Sequence, residues 1–372
     1  MTQAVSEESM ATLGAQLGLH GIDRRKFMQY SATITAMLAL PPAFATQVAS
    51  ALTAVDKPQL VWLNFQDCAG NSEALLRARD PDVATIILDL LSVDYMEVIM
   101  TASGHQAEAA KDAVIKKGGH IVVVEGSIPL NEDGIYCTIG GKTAVQILDE
   151  ATKNAAAVLA IGTCATYGGL PAARPNPTGA VGVAGMVNGK PVVNIPQCPA
   201  NADNITAVIA HYLTFKALPA CDDLGRPLFA YGDRIHDNCP RRGHFDAGQF
   251  AMEFGDAGHR AGWCLYKLGC KGPSTFANCP SQMFNGHTQW PIGVGHGCNG
   301  CAEPDFWDTM TPFYDRLPRI AGMDAATTAD RVGTIAAGAL ATGLVVHGSL
   351  KIVQHRKHGI NQPEPKPEEA NA

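Results

Sequence analysis

Between residues 59 and 216, short apolar runs alternate with stretches whose apolar residues recur every three or four positions. The short runs, rich in Val, Ile and Leu, predict strands at residues 60–64, 96–100, 121–124, 157–161 and 192–195. The longer period predicts helices near 72–79, 106–117, 142–153 and 202–216. Strands alternating with helices predict an α/β fold, with an open, mainly parallel sheet covered on both faces. The pattern then breaks. From His236 to Cys301, segments such as Gly269-Cys270-Lys271-Gly272-Pro273 and Trp290-Pro291-Ile292-Gly293 carry turn residues and little periodicity. Such a stretch has no helix stripe or strand face to bury. Another cohesive interaction must hold it, and thiolate ligation of metal is the first candidate.

Both ends carry patterns of their own. Asp23-Arg24-Arg25-Lys26-Phe27-Met28 is followed by a mildly apolar run over 30–40 and the small-residue site Ala43-Phe44-Ala45. That order predicts a removable export signal over 1–45, and the paired arginines point to the twin-arginine route. Toward the other end, residues 332–350 carry no formal charge and are long enough for one transmembrane helix. Lys351, His355, Arg356, Lys357 and His358 follow it, which predicts a cytoplasmic tail over 351–372 and a body on the periplasmic side. A buried Ala/Gly-rich core helix is the alternative. Gly338 and Gly343 would let a partner helix pack closely, and His347 would meet that neighbour with a hydrogen bond or a haem.

Composition narrows the classes. A chain of 372 residues can bury two cores, and 46% hydrophobic with 17% charged residues marks it as globular. A net charge of −7 argues against a nucleic-acid partner. Eleven cysteines, an odd number at ligand-like spacings, fit metal binding better than a disulfide framework.

Those cysteines fall into sets. His236-x2-Cys239 with Cys264-x5-Cys270 offers four ligands; Cys279 with Cys298-x2-Cys301 offers three, with Pro291 where a fourth would sit. Iron–sulfur clusters, structural zinc and disulfides all remain open on spacing alone, with three thiolates suiting a 3Fe–4S cluster better than a closed zinc site. Cys68, Cys164 and Cys198 follow the first, fourth and fifth predicted strands. Loops at the carboxyl ends of parallel strands converge on one crevice, so these three can share a further site. Cys137 and Cys221 lack partners at ligand spacing and read as free thiols.

At this point the residues carry a family likeness. The leader, Val61-Trp62-Leu63 ahead of the Cys68 loop, Val124-Glu125-Gly126, Gly162-Thr163-Cys164-Ala165-Thr166-Tyr167-Gly168-Gly169, Arg174-Pro175-Asn176-Pro177-Thr178, Pro196-Gln197-Cys198-Pro199, the two later ligand sets and the C-terminal helix come in one order. In that order the chain resembles the small, electron-transferring subunit of membrane-bound nickel–iron hydrogenases. The resemblance implies a flavodoxin-like domain over 58–230, an irregular cluster-binding domain over 231–319, and three clusters in a line. It implies a proximal 4Fe–4S cluster on Cys68, Cys164 and Cys198, a medial 3Fe–4S cluster on Cys279, Cys298 and Cys301, and a distal 4Fe–4S cluster on His236, Cys239, Cys264 and Cys270. Hydrogen would be oxidised at a nickel–iron centre on a separate large subunit. Electrons would leave through a membrane b-type cytochrome or similar quinone-linked subunit, in an assembly open to a dimer of heterodimers. No catalytic residue is expected on this chain, although Glu73 matches the family glutamate linked to proton movement; a first-turn helix glutamate is the plain alternative.

One departure stands out. Where the family reads C-x-x-C, this chain has Cys68-Ala69-Gly70-Asn71, so the fourth proximal thiolate is missing. Asn71, Asp67 or water would supply an oxygen ligand instead, with Glu125 a carboxylate neighbour and a 3Fe–4S proximal cluster the runner-up. The two additional cysteines of oxygen-tolerant members correspond to Gly70 and Gly169 here. The rival readings are a related quinone-reductase subunit with a single cluster and a structural zinc protein.

Overall fold

The computed structural model describes residues 24–52, 57–79, 81–317 and 325–360. It divides into two units, residues 1–316 and 317–372.

Five parallel strands organise the first unit: β1 (Gln59–Asn64), β2 (Ser92–Met96), β3 (Ile121–Glu125), β4 (Ala157–Ile161) and β5 (Val192–Ile195). They lie in the order β2-β1-β3-β4-β5. This is the flavodoxin-like order, in which the strand order switches sides between β1 and β3 and opens a crevice at their carboxyl ends. Alternation within each strand builds two cores. Trp62, Val123, Leu159 and Val193 face one side; Val61, Val122, Val124, Val158 and Ala160 face the other. Burial on both faces explains why the strands read as continuous apolar runs.

Helix α1 (Arg24–Met37) and helix α2 (Ala45–Leu52) precede the sheet, helix α3 (Gly70–Leu76) follows β1, and helix α4 (Gly104–Lys117) follows β2. Helix α5 (Ala144–Lys153), helix α6 (Gly162–Tyr167) and helix α7 (Ala202–Phe215) complete this half. The face of α4 and α5 packs Ala107, Val114, Ile147 and Leu148 on one core, while α7 packs Ile205, Val208 and Leu213 on the other. The predicted export leader is helical over α1: Phe27 and Ile34 of α1, and Leu38 just after it, join the same core as α2 and α7. Residues 1–23 of that expectation lie outside the described residues, as do 361–372 of the tail.

Several boundaries differ from the sequence reading: the helix expected near 72–79 is Gly70–Leu76, and the one expected near 106–117 starts at Gly104. The second strand is Ser92–Met96, not 96–100: its Leu60, Val61 and Trp62 partners sit opposite Val93, Tyr95 and Met96. The apolar Val98 and Ile99 that suggested a later strand are exposed. The helix expected from 142 begins at Ala144. Thr143 caps it, accepting from the Gln146 N–H while the Gln146 side chain accepts from the Thr143 N–H.

Beyond α7 the chain is held by short turns, and its longest helices from 217 to 316 span only four or five residues. In the second unit, helix α8 (Ala325–Ile360) contains an apolar, uncovered stretch, Gly333–Gln354, with mean hydropathy 1.5. By length and composition it can cross a membrane.

Candidate metal centres

Each expected proximal cysteine stands where a strand ends. Cys68 follows β1 in a turn shaped by Asp67, whose Oδ1 accepts from Ala69 N at 2.9 Å and whose Oδ2 accepts from Asn64 Nδ2 at 3.0 Å. Cys164 lies in α6, directly after β4, and Cys198 comes three residues after β5. The crevice backbone leaves room for something beside the sulfurs. A Cβ on Gly70 would sit 3.0 Å from Cys68 Sγ, and one on Gly169 only 2.6 Å from Cys164 Sγ. Burial pushes the Cys198 thiol up to about 12, with Cys301, Cys164 and Cys68 adding to it, even though the residue is still reached by solvent at the crevice mouth.

The distal set closes around one cavity, lined by His236, Cys239, Cys264 and Cys270 together with Arg241 and Arg242. His236 packs edge-on against Phe245, ring centroids 4.6 Å apart. Burial, then the charge of Arg242, lowers its pKa, which favours the neutral imidazole that metal ligation requires. Burial pushes Cys264 up to about 12. The medial cysteines Cys279, Cys298 and Cys301 line a second cavity, of about 360 Å³, and Cys198 of the proximal set lines it too.

The donor chemistry tests what these sites can hold. Burial raises the pKa of Cys164, Cys198, Cys239, Cys264, Cys270, Cys279, Cys298 and Cys301, so as free thiolates they would be destabilised. Yet N–H groups are aimed at the sulfurs. Gly272 N and Cys298 N donate to Cys270 Sγ at 3.4 and 3.3 Å, Gly300 N to Cys298 Sγ at 3.4 Å, and Gln197 Nε2 to Cys279 Sγ at 3.1 Å. Backbone donors also reach Cys164 from Leu170, Cys239 from Arg241, Cys264 from Tyr266 and Cys301 from Cys198. Buried sulfur surrounded by amide donors suits a thiolate whose charge is shared with metal.

All eleven cysteines are free, which sets the disulfide alternative aside. Among the described residues, no three His, Cys, Asp or Glu side chains gather tightly enough for one metal ion.

Other residues singled out in the sequence take definite places. Glu125, fully buried at the end of β3, accepts from Trp62 Nε1, Asn64 Nδ2, Asn71 N and Nδ2, and Ser72 N and Oγ, at 2.6–3.2 Å. Asn71 Oδ1 accepts from Ala200 N at 2.8 Å, so both ends of its amide are engaged within the protein. Glu73 lies in the first turn of α3 and faces solvent, paired with Arg77 at 2.5 Å. Cys137 and Cys221 lie apart from every set, with thiols pushed up to about 11, chiefly by burial. The sequence reading missed Gln197 and the backbone donors. Spacing between ligands carries no signal for a donor that is not itself a ligand.

Known proteins share these features. Residues 231–314 match the C-terminal family of NiFe/NiFeSe hydrogenase small subunits, and residues 68–212 match NADH ubiquinone oxidoreductase, 20 Kd subunit. The chain is 46% identical to the quinone-reactive Ni/Fe-hydrogenase small chain of Wolinella succinogenes, over 90% of this chain and 97% of that one. It is 42% identical to the uptake hydrogenase small subunit of Azotobacter vinelandii, over 92% and 96%. Among solved structures, a chain of the [NiFeSe]-hydrogenase of Desulfomicrobium baculatum superposes with a TM-score of 0.66 at 34% identity, covering 70% of this chain and 100% of that one.

Proposed function

The chain belongs to the family of nickel–iron hydrogenase small subunits, and from that premise we propose that it relays electrons between a hydrogen-oxidising large subunit and the membrane. The observation that carries this reading is the three neighbouring sets of cysteines, with Cys264, Cys270, Cys279 and Cys298 buried and amide donors aimed at sulfur in each set. Cys68, Cys164 and Cys198 would hold the proximal 4Fe–4S cluster, Cys279, Cys298 and Cys301 the medial 3Fe–4S cluster, and His236, Cys239, Cys264 and Cys270 the distal 4Fe–4S cluster. Bound there, the clusters supply the one-electron redox capacity that joins a nickel–iron centre to a quinone-linked b-type cytochrome.

The chain's own residues make the sites contiguous. Cys198 of the proximal set lines the cavity of the medial cysteines. The N–H of Cys298, a medial ligand, donates to Sγ of Cys270, a distal ligand. Burial shields the sulfurs of Cys264, Cys270, Cys279 and Cys298 from water, and the amide donors take up charge that reduction places on them.

At the proximal site, Asn71, Asp67 or water would supply the oxygen donor beside three thiolates; Asn71 Oδ1 also accepts from Ala200 N, and the Asp67 carboxylate from Ala69 N and Asn64 Nδ2. Burial raises the Asp67 pKa, so a nearby cation would favour its charged form. The leader would send the folded protein out by the twin-arginine route, and α8 would anchor it on the periplasmic side of the cytoplasmic membrane. The single-cluster quinone-reductase alternative lacks any use for the ligand sets that lie within 231–314.

Purification of the complex through a tag on this chain tests the proposal. The expected preparation contains a nickel-bearing large subunit, with iron and acid-labile sulfide in the amounts that two 4Fe–4S and one 3Fe–4S clusters require. An iron-poor chain that purifies without a nickel protein would overturn it. Within such a preparation, Asn71→Cys should lower the proximal potential by adding a thiolate charge.

A further inference from the structure

Gln197 stands where two of the cysteine sets meet. It directly precedes Cys198 of the proximal set, and its Nε2 donates a 3.1 Å hydrogen bond to Sγ of Cys279 in the medial set. The other end of the amide fixes its orientation. Asn201 N donates to Oε1 at 3.2 Å, so the nitrogen must be the atom that faces sulfur. The side chain is only 1% exposed.

The backbone is equally constrained. Gln197 O accepts from Thr163 N at 2.9 Å, and Gln197 N donates to Thr163 Oγ1 at 3.1 Å. Thr163 adjoins the proximal Cys164, and its hydroxyl donates onward to the carbonyl of the medial Cys301. Gln197 also holds φ at +94°, a conformation that favours glycine. A glycine would sit there without strain. The chain instead carries a long amide whose free donor ends on sulfur.

We propose that Gln197 sets the reduction potential of the medial site, by donating its carboxamide N–H to the Cys279 thiolate between the proximal and medial sets. This rests on the cluster reading above. One-electron reduction raises the negative charge on ligand sulfur, so an N–H donor stabilises the reduced form more than the oxidised form. The donor therefore raises the medial potential and makes that site a better acceptor for an electron arriving from the Cys198 side. Gln197 acts through Cys279 and is a positioning residue.

The test is a redox titration of the purified heterodimeric complex, poised with dithionite and mediators and followed by EPR. Gln197→Gly removes the donor and relieves the positive φ, so it preserves the turn. The expected result is a medial signal of undiminished amount whose ratio of reduced to oxidised form, at a fixed potential, falls about fivefold, the weight of one hydrogen bond. Pulsed EPR after exchange into heavy water should also lose one exchangeable-proton coupling. Gln197→Met fills the same space without a donor and should give the same fall, which covers the case in which the glycine variant loses its cluster. A midpoint unchanged in either variant, with the signal intact, overturns the role of Gln197. Absence of any medial signal from the unsubstituted complex overturns the cluster reading instead.

Discussion

His120 sits just before β3, 1% exposed, with Nε2–H donated to Ala151 O at 2.9 Å and Nδ1 without a partner among the described residues. Burial lowers its pKa below the usual 6.5, and the charge of Lys190 adds to that. A histidine whose folded pKa is depressed contributes stability above its unfolded pKa and loses it as pH falls through the folded value. Thermal unfolding should therefore become easier below about pH 6.5, and His120→Gln should flatten that acid limb. A variant with the parent's pH slope would show that other groups govern it. Asn71 shows what one residue hides from a sequence reading. Its place as the missing thiolate was legible from the Cys68 loop, but its engagement with Glu125 and Ala200 depends on β3 and on the turn after Cys198. Gln197 was quoted in the sequence only as the neighbour of a cysteine, because nothing in its position along the chain reveals a φ of +94°.

At the scale of elements, period and burial decided most outcomes. β4 and β5 fall on the predicted 157–161 and 192–195, one inside the sheet and one at its edge, since neither has a competing apolar stretch beside it. β2 moved because residues 96–100 offer an equally apolar run, and only pairing with β1 distinguishes the two. The irregular half had no period to read, so the sequence carried no signal for its turns. Helix α8 carries its own expectation. The first unit ends at Arg316, and Lys271, buried beside the distal Cys270, donates to the carbonyls of Gly269 and Asp315. Ending the chain after Arg316 keeps that staple and removes α8. The expected outcome is a complex that leaves the membrane fraction while retaining its iron. A truncated complex still found with membranes would place the anchor elsewhere.

At the scale of the whole molecule, the parallel sheet brings thiols from three distant strand ends to one crevice, and the turn-rich half places two further sets beyond it. The grouping was legible because ligands must recur at set spacings and strand ends must converge. The contiguity was not: the cavity shared by Cys198 with the medial cysteines, and the Cys298 N–H on Cys270 Sγ, join residues that no spacing relates. The most direct test of this arrangement is Mössbauer spectroscopy of the iron-57-enriched complex, paired with EPR of its oxidised form. Two four-iron clusters and one three-iron cluster, with one proximal iron bound by a donor other than thiolate, are the predicted result. A single cluster, or iron absent while the partner subunit remains bound, would contradict it.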